Sequence, residues 1–164
     1  MPDNKAQFES LHKAHYAMVH QMCLGFLKGD ISLAKDLTQE VFINAWGAMQ
    51  QFKGESSHKT WLYRVTVNTC LKFIRDKKGT KQVPFEEIQQ LAEPENISND
   101  AENQHQSLYR AIGQLAELDR LIIMMILDEL EYEEIAKVIG ISEGNLRVKI
   151  HRIKKNIKKI LENE

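Results

Sequence analysis

A chain of 164 residues, 43% apolar and 27% charged, is long enough for one medium domain or two small ones and too apolar to stay unfolded throughout. Its only cysteines, Cys23 and Cys70, form no CxxC pair, no long apolar run offers a membrane span, and the N-terminus lacks the basic-then-apolar layout of a secretion signal. A disulfide-stapled secreted domain and a membrane-inserted protein are thereby disfavoured, and a reducing, cytoplasmic setting is expected.

The formal net charge of −1 is a sum of opposed blocks. Lys53 to Lys81 holds eight Lys or Arg against Glu55 and Asp76, and Leu146 to Ile160 holds seven with no acid. Between them, Val83 to Ser107 carries six acids and no Lys or Arg. Two phosphate-attracting stretches flanking a phosphate-repelling one is the expected reading, with solvated helix faces as the alternative.

In chain order, Phe8, Leu11, Met18, Val19, Met22 and Phe26 recur at helical spacing. Asp30 can cap a second helix that buries Leu33, Leu37, Val41, Ala45 and Ala48. Away from that stripe lie Asp36, Gln39, Ile43, Trp46 and Gln50, a mixture of amides, an acid and large apolar groups that is costly to expose without a partner. A third helix, roughly 59–77, is expected to bury Leu62, Val65, Thr69 and Phe73. Its outer sector carries Trp61, Arg64, Asn68, Lys72 and Arg75, which offers a stacking ring, an amide for a base edge and cations for phosphate. The preceding loop, Lys53-Gly-Glu-Ser-Ser-His58, is polar and contains Gly54, so its backbone can approach a base closely.

Gly79, Pro84 and Pro94 and the polar run Glu95 to Gln106 break the periodicity, which places a flexible acidic linker at 79–106 between modules at 1–78 and 107–164. Helices are expected near 108–116, 118–130, 132–139 and 143–161, and strand-like alternation is absent, so the fold class is all-α, two small bundles joined by the linker. Tyr132 to Ile139, Gly140 as a helix stop, Ser142 as a cap and a long basic helix have the layout of a helix-turn-helix. On the last helix Leu146, Ile150, Ile153, Ile157 and Ile160 form the inward stripe. Asn145, Lys149, Arg152 and Asn156 form a groove-reading face, with Arg147, Lys154 and Lys158 beside it for phosphates.

Asp36-Leu-Thr-Gln-Glu-Val-Phe42, Phe52-Lys-Gly-Glu-Ser56, Trp61-Leu-Tyr-Arg-Val-Thr-Val-Asn68, Tyr132-Glu-Glu-Ile-Ala136 and Arg147-Val-Lys-Ile-His-Arg152 together resemble the extracytoplasmic-function group of the bacterial sigma-70 family. The resemblance implies a non-enzymatic initiation factor that binds core RNA polymerase through its beta-prime clamp helices and beta flap, with no cofactor and no metal. It places Asp36, Gln39, Glu40 and Phe42, with Ile43 and Trp46, on the polymerase-gripping segment. The promoter −10 element would be read by Gly54, Glu55, Ser56, Ser57, His58, Trp61, Arg64 and Asn68, with Lys72 and Arg75, around a base flipped from the stack. The −35 duplex would be read by Asn145, Arg147, Lys149 and Arg152, with Ser142, His151 and Lys155. An anti-sigma factor is a further partner that the resemblance allows. The sequence departs from the family pattern at Ala116, Glu129 and Glu131, where Pro, Gly and Ser are common, so the turn before Tyr132 is expected to differ and to lack a hydroxyl cap.

Two other readings remain open at this point. One is a helix-turn-helix regulator that makes no polymerase contact. The other is a metal enzyme built on His12, His15, His20 and Cys23 of the first helix, with Glu9 as a base.

Overall fold

Each predicted stop and cap organises a helix end. The computed structural model describes residues 4–79 and 100–163, and most of the predicted linker, including Glu86, Glu87, Glu93 and Glu95, lies outside the described residues. Among the described residues the order is α1 (Asn4–Phe26), α2 (Ile31–Ala48), a short 3-10 turn (Met49–Gln51), α3 (His58–Gly79), α4 (Asp100–Gly113), α5 (Glu117–Leu127), α6 (Tyr132–Ile139) and α7 (Glu143–Glu162), with no strand. The Asp30 carboxylate accepts from the Leu33 N–H at 3.0 Å and starts α2. Gly140 closes α6 in the left-handed region at φ 84°, and the Ser142 hydroxyl accepts from the Asn145 N–H at 3.1 Å to start α7. The fold is all-α.

The departures from the family pattern have local consequences. Glu129, where the family commonly has Gly, sits at φ 61°, a left-handed conformation that costs a side-chain-bearing residue about 1 kcal/mol or more. Neither Ala116 before α5 nor Glu131 before α6 supplies a side-chain cap. The expected helix near 108–116 begins instead at Asp100, eight residues earlier, because the polar run from Asp100 to Gln106 continues as helix into Leu108 and Ile112.

Apolar stripes on all seven helices join into one core that runs from Leu11, Val19 and Leu62 through Phe26 to Leu121, Met125, Leu146 and Ile153. The N-terminal helices α1 to α3 therefore pack directly on α4 to α7. Gly25 of α1 permits the closest approach: a Cβ there would lie 2.2 Å from the sulfur of Met124 on α5. Arg120, 5% exposed, donates to the carbonyl oxygens of Phe26 at 2.9 Å and Leu115 at 2.8 Å, and its guanidinium lies 5.2 Å from the Phe26 ring centre. The cation thus sits at the C-terminal, negative end of α1, where its charge is favoured. Burial lowers its pKa, with the nearby Glu117 carboxylate acting in the opposite sense. From α3, Thr60 donates to Glu134 of α6 at 2.9 Å, Tyr63 donates to Asp128 at the end of α5, and Lys59 lies 3.8 Å from that same carboxylate.

This second layer of packing corrects the expected inner face of α3. Leu62 and Thr69 are buried as expected, but Val65 and Phe73 are only half-buried, and Tyr63, Thr66, Val67 and Cys70 are buried instead. A helix covered from two sides buries a broader sector than its own periodicity reveals.

Candidate nucleic-acid interface

Helix α3 begins at Ser57, whose hydroxyl accepts from the Thr60 N–H at 3.1 Å. Thr66 and Thr69 return their hydroxyls to the carbonyls of Leu62 and Val65, which keeps the inward side free of unsatisfied donors. The opposite side then leaves Asn68, Lys72 and Arg75 exposed and Trp61 and Arg64 half-buried beside them. In the preceding loop Gly54, Glu55, Ser57 and His58 are exposed and Ser56 is half-buried; Gly54 takes φ 74°. None of the ten expected residues of this group is buried, and Ser57 also serves as the cap.

Beside these residues lies a recess of about 370 Å³, lined by Asn4, Gln7, Met49, Gln50, Phe52, His58 and Trp61. The Phe52 ring lies 4.8 Å from His58 and 5.4 Å from Trp61, centre to centre, and the Gln7 amide nitrogen lies 3.3 Å from His58 Nε2. Asn4, Gln7 and Phe52 were not among the expected site residues. Phe52 had a signal, an aromatic two residues before the Gly54 turn, whereas Gln7 approaches from 51 positions away and had none. Burial first, then the neighbouring Lys59 and His58, lowers the pKa of His15.

The helix α7 turns Leu146, Ile150 and Ile153 into the core and leaves Ser142, Asn145, Arg147, His151, Arg152 and Lys155 exposed, with Lys149 half-buried. The Ser142 hydroxyl is committed to the cap. Arg147 lies 2.9 Å from Glu143 and 5.4 Å from the Tyr132 ring centre, and Lys149 lies 3.5 Å from Asp119. Solvent-accessible pairs of this kind contribute at most about 1 kcal/mol, so phosphate oxygens can replace the carboxylates at little cost. Between α4, α5 and the end of α7, Leu108, Ile123, Leu127, Ile157 and Leu161 line an apolar groove of about 400 Å³, edged by Lys154 and Lys158.

On α2, Asp36, Gln39 and Glu40 are exposed, and Ile43 and Trp46 are 63% and 48% exposed. Phe42 departs from the expectation that it forms this face. It is 4% exposed and lies beneath His12, at 4.5 Å between ring centres, and Tyr16, at 6.1 Å, so that it supports the face from below. Trp46 meets the edge of Phe8 at 5.1 Å. The same packing disperses the metal set considered for α1: the His12 ring packs at a tilt against Phe42, while Cys23 is buried against Cys70, whose thiol burial pushes up. Among the described residues no three His, Cys, Asp or Glu side chains converge on a metal position. No described helix is long and apolar enough to cross a membrane.

An all-helical frame with a capped helix-turn-helix and two outward cationic helices defines a helical DNA-binding protein. Residues 11–80 match the model of sigma-70 region 2 and residues 105–157 that of sigma-70 region 4. Over 135 residues the chain is 33% identical to the ECF RNA polymerase sigma-E factor of Escherichia coli K12, a match covering 74% of this chain and 70% of that one. It is 30% identical over 145 residues to the RNA polymerase sigma-H factor of Pseudomonas aeruginosa, covering 81% and 75%. Two solved structures share the fold: CnrH in complex with the cytosolic domain of CnrY, at TM-score 0.71 and 19% identity over 99% of this chain and 92% of that one, and RpoE in complex with the anti-sigma factor NepR from Bartonella quintana, at 0.70 and 20% over 95% and 97%. The chain belongs to the extracytoplasmic-function group of the sigma-70 family. It is a sigma factor directing transcription initiation, and not an enzyme.

Proposed function

We propose that the module at 1–78 melts and reads the promoter −10 element, that the C-terminal module, which begins with α4 at Asp100, reads the −35 duplex, and that the residues between them connect the two. The observation carrying this reading is the outward cationic sector of α3, Arg64, Asn68, Lys72 and Arg75, set beside an aromatic-walled recess. Stacking one flipped base contributes roughly 1–3 kcal/mol, comparable to the few kcal/mol of unpairing it, so melting needs no nucleotide hydrolysis by this chain. Asn145, Lys149 and Arg152 would enter the major groove, and Arg147, His151 and Lys155 would hold phosphates.

Core polymerase supplies the chemistry and the frame. Asp36, Gln39, Glu40, Ile43 and Trp46 would dock on the beta-prime clamp helices, and the apolar groove at Leu127 and Leu161 would receive the beta flap. An anti-sigma factor is a further partner, and the complex of the similar RpoE with the anti-sigma factor NepR supports it. Reading two elements about two duplex turns apart separates the modules by roughly 70 Å. With α4 beginning at Asp100, residues 80–99 reach at most about 70 Å when extended, less than the full 79–106 stretch would allow. The contacts through Arg120, Thr60 and Tyr63 must therefore part on the promoter.

Run-off transcription with purified core polymerase on a promoter library tests the reading. Asn68→Ala is expected to lose −10 selectivity while keeping −35 selectivity, and Arg152→Ala the converse, each by roughly 5- to 150-fold at the affected positions. Both variants selecting promoters as the unsubstituted chain does would remove these assignments.

A further inference from the structure

We infer that α1 contributes to promoter specificity: the side-chain amide of Gln7, supported by Asn4, reads the Watson–Crick edge of the base that enters the Phe52–His58–Trp61 recess. The inference rests on the −10 reading proposed above and names residues outside the loop and helix to which that reading was confined.

The recess has two kinds of wall. Phe52, His58 and Trp61 form an aromatic side, with neighbouring ring centres 4.8 and 5.4 Å apart, suited to the face of a planar heterocycle. Asn4, Gln7 and Gln50 supply three primary amides, and Met49 closes the apolar part. A ring that stacks on the aromatic side is sequence-tolerant, since every base has a π-face. Discrimination must come from the groups at the ring's edge, and in this recess those are amides. Each amide offers a donor next to an acceptor, which complements a base edge with an amino donor beside a ring-nitrogen acceptor. Adenine and cytosine have that edge; guanine and thymine present a carbonyl beside a ring N–H, which an amide meets only when turned the other way round, so the side on which the amide is held decides between the two classes.

Gln7 is the best placed of the three. It is exposed on the second turn of α1, and its amide nitrogen already reaches His58 Nε2 at 3.3 Å. That contact holds the amide at the recess, and with His58 in its Nδ1–H tautomer the amide's donor lies on the His58 side, leaving the carbonyl oxygen to accept the base's amino group. The hydrogen bond to His58 is solvent-accessible, so a base can displace it and recover both of its partners at little cost.

The test is initiation by holoenzyme carrying the full chain, on templates with each of the four bases at every −10 position. The unsubstituted chain is expected to prefer adenine or cytosine at one position. Gln7→Ala is expected to flatten that preference by roughly 5- to 150-fold at that position alone, with other positions unchanged. Gln7→Glu, whose carboxylate accepts from the amino group but repels the ring nitrogen, is expected to weaken use of the preferred base at the same position. Melting of Gln7→Ala at the same temperature as the unsubstituted chain checks that the fold is intact. A Gln7→Ala holoenzyme that is slower by one factor on all four bases would show that Gln7 only props His58, and would overturn the inference while leaving the −10 reading in place. An unsubstituted chain with no base preference anywhere in the −10 element would overturn both.

Discussion

The double variant Ile43→Ala, Trp46→Ala is expected to bind core polymerase roughly 30- to 700-fold more weakly. Both side chains stand more than 45% exposed on α2, next to Gln39 and Glu40, and large apolar groups so placed are the usual anchors of a protein interface. Truncating a buried aromatic anchor and its neighbour commonly costs about 2–4 kcal/mol of association energy, and each 1.4 kcal/mol is tenfold. The fold should survive. Trp46 gives up its edge contact with Phe8, worth about 1 kcal/mol, and the melting temperature should fall by only about 2–4 °C. Phe42→Ala forms the contrast: with the ring buried beneath His12 and Tyr16, its loss should appear mainly as lowered stability. Polymerase affinity titrated with each variant checks the pair. Affinity retained by the double variant would move the docking face elsewhere.

Arg120→Ala is expected to be the most destabilising single substitution at the junction of the two helix groups, by about 3 kcal/mol and a melting shift of about 10 °C. The guanidinium makes two charge-assisted hydrogen bonds to carbonyls, each worth about 1.5–3 kcal/mol, and its removal strands both acceptors in the core. Part of that cost is capped. If the helix groups separate, water reaches the Phe26 carbonyl, so the loss on that side cannot exceed the free energy of keeping them together. Arg120→Lys should recover only part, because a single ammonium lacks the planar fork that spans Phe26 and Leu115. Thermal and urea denaturation of the three chains measure the effect, and a midpoint unmoved by Arg120→Ala would contradict this account of the junction.

Periodicity and capping chemistry made most of the helical frame legible. The α7 stripe, the Gly140 stop and the Asp30 and Ser142 caps depend only on residues within a few positions of one another, and such local rules can be read from sequence. The outward sector of α3 was legible for the same reason: Asn68, Lys72 and Arg75 stand where their spacing placed them. What escaped depends on residues distant in sequence. Tyr63 and Val67 are buried on the side of α3 where α6 packs, about 70 positions on, so the inner face was drawn too narrow. No local pattern marks Arg120, which is the buried bridge to Phe26. Phe42 was expected on the outer face of α2 and lies one layer beneath it, because His12 and Tyr16 cover it from another helix. Gln7 enters the recess for a comparable reason, and only the tertiary structure brings it to His58.

Permanganate reactivity of thymines in a promoter, mixed with core polymerase and this chain, tests the central claim most directly. If cationic and aromatic groups on α3 open and hold the −10 strand while α7 anchors the −35 duplex, −10 thymines become reactive only when the chain is present. That reactivity should fall in Trp61→Ala by the roughly 1–3 kcal/mol that stacking contributes. A promoter that stays fully paired in a complex containing polymerase and the chain, or one that opens equally well with Trp61→Ala and Asn68→Ala, would contradict it.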